Sequence, residues 1–335
     1  MNTGFVRNIF IFALIIFAIF SIKFVREAFL VSGDPAQSNV SVTIAQGSSV
    51  RRIASELENK GIIQSPFLFE LYVRVRGLSG SIPAGTFFLK EGSSFADVTA
   101  AMLDAQAAGI QVTIPEGYTL RKIWDTLHAA FPNIKEADFW KMAGRASPLK
   151  KIEPILAHLS STQDLEGYVF PDTYFFAPEA SAESIVRTMV ETLPRRLREL
   201  GIQKTGKDLH AFLTLASIVE REVRDPKDMA NAADIFFRRL EIGMALQADS
   251  TVNYVIDGKN PSLTAAEMKT NSPYNTYLYA GLPPGPICNP GVNALRAAAH
   301  PTKNSWLYFL TTPSGDVKYA RTFDDHVANK SRYLR

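Results

Sequence analysis

A glutamate on the apolar face of a predicted helix is the residue of this sequence best suited to acid–base chemistry. Apolar residues recur with the period of an amphipathic helix through DLHAFLTLASIVEREVR, at Leu209, Phe212, Leu213, Ala216, Val219 and Val223. Glu220 lies on this stripe, whereas Glu222 lies about half a turn away and should face elsewhere. Burial disfavours a charged carboxylate, so the pKa of Glu220 should be raised, as a general acid requires. The alternative is a glutamate that reaches solvent from the edge of the stripe, or one that pairs with Arg221 or Arg224.

The composition argues against several other kinds of site. The chain has 335 residues, of which 46% are hydrophobic and 21% charged, as expected of a globular protein with two or three domains. The net charge is only +3 and the basic residues are spread along the chain, so no nucleic-acid partner is expected. Five scattered histidines and the single cysteine, Cys288, show no metal-ligand spacing. We therefore expect neither a metal nor a cofactor.

Three further segments combine polar and aromatic residues in a way that suits a sugar site. They are LEGYVFPDTYFF (Leu165–Phe176), MALQADSTVNYVI (Met244–Ile256) and NSPYNTYLYAGLPPGPICNP (Asn271–Pro290). Sugar rings stack on aromatic faces while their hydroxyl groups need polar partners, and long irregular loops often carry function. The alternative for the first segment is an aromatic stretch of the core.

A short pattern recurs in the first half of the chain. Val42–Leu57 reads VTIAQGSSVRRIASEL, Val112–Leu127 reads VTIPEGYTLRKIWDTL, and Phe87–Met102 is a looser third copy. Each copy predicts a strand, a glycine turn, a serine or threonine cap and a helix. The pattern resembles the LysM module, which binds glycans. A β-α unit that serves only packing or spacing is the alternative.

The N-terminus contains an apolar segment, Ile9–Ile22, which is interrupted only by Ser21. The segment is short for a membrane span, but Arg7 and Lys23 can extend their charged ends to the interface. This favours an uncleaved single membrane anchor over a cleaved signal peptide or a buried core helix, and the polar residues 34–39 then form a linker. The flanking lysine and arginine residues do not fix its orientation.

Four motifs together carry a resemblance that spans nearly the whole chain after the linker. In chain order they are EGYVFPDTY (Glu166–Tyr174), LASIVERE (Leu215–Glu222), FFRRLEIGMALQADSTVNY (Phe236–Tyr254) and SPYNTYLYAGLPPGPICNPG (Ser272–Gly291). In this order they resemble the bacterial endolytic murein transglycosylase family, the MltG/YceG-like proteins. The catalytic glutamate of that family, in its IVE motif, falls on Glu220.

The resemblance implies cleavage of the β-1,4 bond between N-acetylmuramic acid and N-acetylglucosamine in nascent glycan strands. The new ends would be 1,6-anhydro-N-acetylmuramic acid, and the cut would terminate glycan elongation. Glu220 would act as acid and then as base. We expect a set of polar residues to position the substrate: Glu166, Gln247, Asp249, Thr251, Tyr254 and Asn275.

A second carboxylate is the open question of this mechanism, with Glu166, Asp172 and Asp249 as candidates. A carboxylate about 5–9 Å from Glu220 would favour a hydrolytic muramidase, which uses water as the nucleophile. The sequence is also compatible with a non-catalytic, membrane-tethered scaffold that binds glycan, or with a module that binds other proteins and uses the repeats as spacers.

The expected architecture is α+β. Residues 1–31 form the membrane anchor, 32–40 a linker, 41–110 a LysM-like subdomain, 111–160 the second β-α repeat with its connecting region, and 161–335 a mostly helical catalytic domain. The resemblance implies a single-pass protein of the inner (plasma) membrane with its N-terminus in the cytoplasm and its catalytic domain in the periplasm. Peptidoglycan strands and the membrane are the expected partners, and peptidoglycan synthases are candidate partners.

Overall fold

The computed structural model describes residues 3–30, 40–45, 47–104, 109–258 and 263–334. Helices dominate, and the described strands form small two-stranded sheets, so the predicted mixed α+β class is confirmed. The predicted linker over residues 32–40 lies outside the described residues except for Val40.

The chain divides into two compact units. One contains residues 1–111 together with 175–179, and the other contains residues 112–174 together with 180–335. The repeat at Val112–Leu127 therefore lies in the same unit as Glu220.

The first unit is built around an antiparallel pair of strands. Strand β1 (Val40–Ile44) pairs with β2 (Gly85–Leu89), with Val42 opposite Phe87. The helices of this unit are α1 (Thr3–Val25), the π-helical Arg26–Leu30, α2 (Val50–Asn59), α3 (Pro66–Val75) and α4 (Phe95–Leu103). Across the described part of the chain, no helix is both long enough and apolar enough to cross a membrane.

The three copies of the repeat all fold as predicted, as a strand, a turn and a capped helix. The turn glycines Gly47, Gly92 and Gly117 all have positive φ, a conformation that costs glycine little. Ser49, Ser94 and Thr119 then cap helices α2, α4 and α5 by accepting a hydrogen bond from the backbone N–H three residues later. Thr119, the cap in the repeat at Val112–Leu127, begins α5, which lies in the same unit as Glu220.

The second unit is mostly helical. Its helices are α5 (Leu120–Ala130), α6 (Glu136–Ala143), α7 (Ala182–Glu199), α8 (Gly206–Glu222), α9 (Pro226–Glu241), α10 (Asp249–Ile256), α11 (Val292–Ala299) and α12 (Phe323–Tyr333), with 3-10 turns at Pro148–Lys151, Pro154–Leu156 and Glu267–Lys269. Strand β3 (Ile110–Thr113) pairs with β4 (Thr173–Phe176), and each of these strands includes residues of both units. Strands β5 (Tyr308–Thr311) and β6 (Val317–Ala320) form the predicted hairpin.

Helix α8 lies at the centre of the second unit, where it packs against α9, α10 and α11. The predicted apolar stripe is buried, and all residues from Phe212 to Val219 are inaccessible or nearly so. This packing continues into the surrounding core through Ile218, Phe236 and Ala294. The last turn of α8 is thus rigidly placed, and it carries Glu220.

Candidate active site

Glu220 lies on the last turn of α8, directly after the fully buried Val219, and is itself half-buried. Its Oε2 atom accepts a hydrogen bond from the backbone N–H of Gly291, 3.0 Å away. Gly291 is the N-cap of α11, so the carboxyl group meets the positive end of that helix dipole. Since Oε2 is occupied by this bond, a proton on Glu220 belongs on Oε1.

The surroundings of Glu220 favour its protonated form. Burial is the largest effect and, with the neighbouring carboxylate of Glu116, raises the pKa of Glu220 to about 6. The Gly291 hydrogen bond and the positive charge of Arg221 act in the opposite direction. The shift has the direction expected from the apolar stripe, and a carboxyl group with this pKa can both give and take a proton near neutral pH.

Glu116 is a second carboxylate at this site, and the sequence reasoning missed it. Its Oε1 atom accepts a hydrogen bond from the backbone N–H of Val292 at 3.2 Å. Glu116 therefore binds the amide that follows the one bound by Glu220. The repeat gave no signal for it, because VTIPEGYT and FFLKEGSS both have a glutamate before the turn glycine, where VTIAQGSS has Gln46.

The turn that carries Glu116 is bound to the segment before α11 on both sides. Gly117 N donates to Asn289 O at 3.0 Å, and Asn289 N donates to Tyr118 O at 2.9 Å. The side chain of Asn289, which is fully buried, also donates to Tyr118 O, at 3.0 Å, and accepts from Val169 N at 3.0 Å. Asn289 is thus a second residue that the sequence reasoning missed, although it lies within the last of the four family motifs.

Glu166, predicted to position the substrate, lies beneath this turn and is only 6% exposed. Its carboxylate accepts hydrogen bonds from Leu120 N, at 3.2 and 3.1 Å, and from Asn289 Nδ2 at 2.9 Å. Tyr254, another predicted site residue, also hydrogen bonds to it. Burial raises the pKa of Glu166 to about 8, although these donors oppose the shift. The structure gives Glu166 and Tyr254 a supporting position under the turn.

The other candidates for the second carboxylate have partners of their own. Asp172 Oδ2 accepts from Arg196 at 2.6 Å, and Asp249 Oδ1 accepts from the hydroxyl group of Tyr277. Asp249 begins α10, whose next backbone N–H, that of Ser250, donates to Glu222 Oε1 at 3.0 Å. Glu222 therefore faces α10, away from the Gly291 contact of Glu220, as the helix spacing predicts.

The remaining predicted site residues are linked to one loop. Thr251, which is fully buried, shares a hydrogen bond of 3.0 Å with the hydroxyl group of Thr276. Asn275 is also fully buried, and its side-chain amide donates to Met268 O and Thr270 O at 2.9 and 2.8 Å.

Gln247 differs from these residues because its side chain is exposed, while its backbone N–H donates to Thr276 O at 3.0 Å. Its φ is 49°, which is uncommon for a residue other than glycine. Gln247 is therefore the exposed residue among the predicted site residues of this loop region.

Comparison with known proteins defines the class to which this fold and site belong. The chain is 32% identical over 311 residues to the endolytic murein transglycosylase of Bacillus subtilis (strain 168), covering 89% of this chain and 86% of that protein. It is 28% identical over 345 residues to the endolytic murein transglycosylase of Streptococcus pneumoniae serotype 2 (strain D39), covering 94% of this chain and 62% of that protein. The chain thus spans less than two thirds of the pneumococcal protein.

The comparison also extends to structure. The crystal structure of a yceG-like protein from Listeria monocytogenes matches 87% of this chain and 98% of its own, with a TM-score of 0.57 and 32% identity. The sequence model of the YceG-like family matches residues 42–332. The chain belongs to the YceG-like family, and the predicted family is confirmed.

Proposed function

We propose that this chain is an endolytic lytic transglycosylase of peptidoglycan, with Glu220 as its catalytic acid and base. The observation that carries the proposal is the half-buried carboxyl group at the end of α8, with its pKa raised to about 6 and one oxygen held by Gly291. Relatives that share about a third of the sequence are named endolytic murein transglycosylases, which supports this reaction class.

The reaction would run in two proton transfers through one residue. Glu220 Oε1 gives its proton to the glycosidic oxygen as the bond from that oxygen to C1 of N-acetylmuramic acid breaks. The C6 hydroxyl oxygen of the same sugar then bonds to C1, and its proton goes to the Glu220 carboxylate. The products are a 1,6-anhydro end and a new 4-hydroxyl group, with no water consumed. Because the nucleophile belongs to the substrate, proximity supplies much of the rate.

Product analysis tests this proposal directly. The protein would be incubated with polymerised, uncrosslinked glycan, and the new chain ends would be identified by mass spectrometry. We expect anhydro-muramyl ends, which are lighter than hydrolysis products by one water. Reducing muramic acid ends would contradict the lytic reaction.

A hydrolytic muramidase is the second candidate, because Glu116 places a second carboxylate beside Glu220. Glycosidases that use water need two carboxyl groups, one as acid and one as base or nucleophile. The family relationship favours the lytic reaction, and the same product analysis separates the two.

The proposed substrate contacts begin with Gln247, whose side chain is exposed and whose backbone N–H donates to Thr276 O. Asp249, Thr251 and Asn275 would act by holding that loop, since their side chains are engaged in internal hydrogen bonds. Glu166 and Tyr254 would act from beneath the Glu116 turn.

A LysM-like glycan-binding role for residues 41–110 is also a proposal. The order β1, α2, α3, β2 with antiparallel strands supports it. A shallow pocket between β1 and α2 offers polar groups for sugar hydroxyls, including Thr43, Ser48, Arg52 and Glu56. Co-sedimentation of the full chain with murein sacculi should weaken in an Arg52→Ala, Glu56→Ala variant. Unchanged binding would show that Arg52 and Glu56 do not contribute to glycan binding.

We further propose that residues 1–31 anchor the chain in the inner membrane with the catalytic unit in the periplasm. The apolar composition of Ile9–Ile22 supports an anchor. Alkaline phosphatase fused after residue 104 should be active, since that enzyme needs an oxidising compartment, and an inactive fusion would contradict this orientation. Peptidoglycan synthases remain the candidate partners, to be sought by crosslinking in cells.

A further inference from the structure

We propose that Glu116 is a positioning residue for acid–base catalysis, and that its negative charge favours the protonated form of Glu220 that the acid step needs. This inference rests on the proposed function, because it concerns how Glu220 holds the proton that the lytic reaction needs.

The first support is the shared anchor of the two carboxyl groups. Glu220 Oε2 accepts from Gly291 N at 3.0 Å, and Glu116 Oε1 accepts from Val292 N at 3.2 Å. Adjacent backbone amides at one helix end hold both groups, although they come from α8 and from the turn before α5. The turn also lies directly against Glu220, because a β-carbon built on Gly117 would be 3.4 Å from Glu220 Cγ.

The second support is the glycine at position 291. Its φ is −84° and its ψ is −178°, an extended conformation that any residue adopts. The backbone therefore does not require glycine here. A β-carbon on Gly291 would instead overlap the carboxylate of Glu116. The Glu116 carboxylate occupies the space in which a side chain at position 291 would lie. Glycine at the N-cap of α11 therefore makes room for a carboxylate from another segment of the chain.

The third support is that the fold of the turn does not need the side chain of Glu116. The backbone bonds between Gly117, Tyr118 and Asn289 already fix the turn, together with the buried side chain of Asn289. Glu116 itself is exposed to solvent. Beyond its contact with the start of α11, Glu116 adds a negative charge beside Glu220.

The consequence follows from the charges around Glu220. Within the described residues, the charged groups that act on its carboxyl group are Glu116 and Arg221, with opposite effects. The thiol group of Cys288 also lies nearby, and burial raises its pKa. The pairing of two like charges is unfavourable, so a charged Glu116 holds the proton on Glu220. It also makes the ionised Glu220 a stronger base for the C6 hydroxyl proton.

The first test measures the titration of Glu220 without using glycan. The full-length protein in detergent would carry ¹³C-labelled glutamate carboxyl groups, with the Glu220 signal assigned from Glu220→Gln. In Glu116→Gln the Glu220 midpoint should fall by about half a pH unit or more, because a like charge has been removed. In Glu116→Asp, which keeps the charge, the midpoint should move in the same direction by less.

The second test follows kcat/KM for glycan cleavage against pH. In Glu116→Gln the loss of activity on the alkaline side should begin at lower pH, with a roughly threefold loss at pH 7.5 for a half-unit shift. At pH 5, where Glu220 is protonated in both proteins, the two rates should converge. A residue that only supports the fold would lower the rate equally at every pH.

Gly291→Ala supplies a matched variant, because its new methyl group displaces the Glu116 carboxylate without removing a charged residue. Alone it should shift the pH profile in the same direction as Glu116→Gln. Added to Glu116→Ala it should have little further effect, since the group that it displaces is gone.

An unchanged Glu220 midpoint in Glu116→Gln would overturn the inference. A folded Glu116→Gln protein that is inactive at every pH would also overturn it, because Glu116 would then take part in bond formation. If the titration shifts but no anhydro ends are made by the wild type, the proposed function fails while the coupling of the two carboxyl groups stands.

Discussion

The backbone N–H of Gly291 donates a hydrogen bond to Glu220 Oε2 across 3.0 Å, which joins the end of α8 to the start of α11. A second pair of helices is joined in the same way, because Ser250 N at the start of α10 donates to Glu222 Oε1 at 3.0 Å. Two glutamates on one helical turn thus each meet the N-terminus of another helix. This arrangement fixes the orientation of the Glu220 carboxyl group before substrate binds.

The pH dependence of the wild-type enzyme follows from the raised pKa of Glu220. Its pKa is about 6 in the folded protein, and the acid step needs the protonated form. We expect kcat/KM for glycan cleavage to fall as pH rises through about 6, approaching a tenfold loss per pH unit well above it. A rate that rises steadily between pH 6 and 8 would contradict an acid role for Glu220.

The stability of the protein should depend on pH through Glu166. Its folded pKa is about 8, above the ordinary value of 4.5, so the folded state keeps a proton that the unfolded state releases in between. Stability should therefore fall as pH rises from about 4.5 to about 8, by on the order of 5 kcal/mol from this group. Urea unfolding at several pH values measures the effect.

Glu166→Gln is the matching variant, since it removes the titrating group and keeps the shape. The unfolding free energy of this variant should lose the part of its pH dependence that comes from Glu166. The variant should also be more stable than the wild type at pH 8.5. Glu199→Gln, at an exposed partner of Arg196, should keep the wild-type slope. The same slope in Glu166→Gln and the wild type would refute the assignment.

Asn289→Ala should damage both stability and catalysis. The substitution removes side-chain hydrogen bonds to Tyr118 O, Val169 N and Glu166, all in a buried setting. We expect a loss of about 2–4 kcal/mol in unfolding free energy and a drop in turnover of about tenfold or more, since the Glu116 turn loses its fixed position.

Asn304→Ala is the control for that substitution. The side chain of Asn304 also makes several hydrogen bonds with backbone groups, because it donates to Asn231 O and Thr302 O and accepts from Trp306 N, none of which belongs to the Glu116 turn. It should lose stability while its turnover at low temperature stays close to that of the wild type. Equal turnover losses in the two variants would show that the effect of Asn289 is only structural.

Gln247→Gly should separate glycan affinity from stability. Glycine relieves the positive φ of 49° but is more flexible when unfolded, so stability should stay within about 1 kcal/mol of the wild type. If the exposed side chain binds glycan, KM should rise about fivefold or more. Asp257→Gly is a matched control, because Asp257 has a φ of 50° and is also exposed. An unchanged KM in Gln247→Gly would remove this residue from the substrate site.

Local patterns in the sequence predicted the elements well. The apolar stripe identified α8 and the half-buried setting of Glu220, because burial on a helix follows a period that can be read directly. Glycine turns and serine or threonine caps likewise identified the three strand–turn–helix units.

Contacts between distant segments were not predictable in this way. Glu116 reaches Glu220 only because the turn before α5 pairs with Asn289, a contact across more than half of the chain. The polar character of the predicted site residues also did not show which of them are accessible. Glu166 and Asn275 are buried within the fold, whereas Gln247 is exposed. Their sequence neighbourhoods are equally polar and aromatic, and burial was decided by tertiary packing.

The most direct test of the central claim compares wild-type protein with Glu220→Gln on uncrosslinked glycan at pH 5.5, with Glu241→Gln as an exposed control. The formation of anhydro-muramyl ends and the binding of glycan would both be measured. We predict that Glu220→Gln binds glycan but forms these ends about 100-fold more slowly or worse, while Glu241→Gln matches the wild type. Anhydro ends formed by a folded Glu220→Gln protein at near wild-type rate would contradict the claim. Binding without cleavage by all three proteins would instead identify a glycan-binding scaffold.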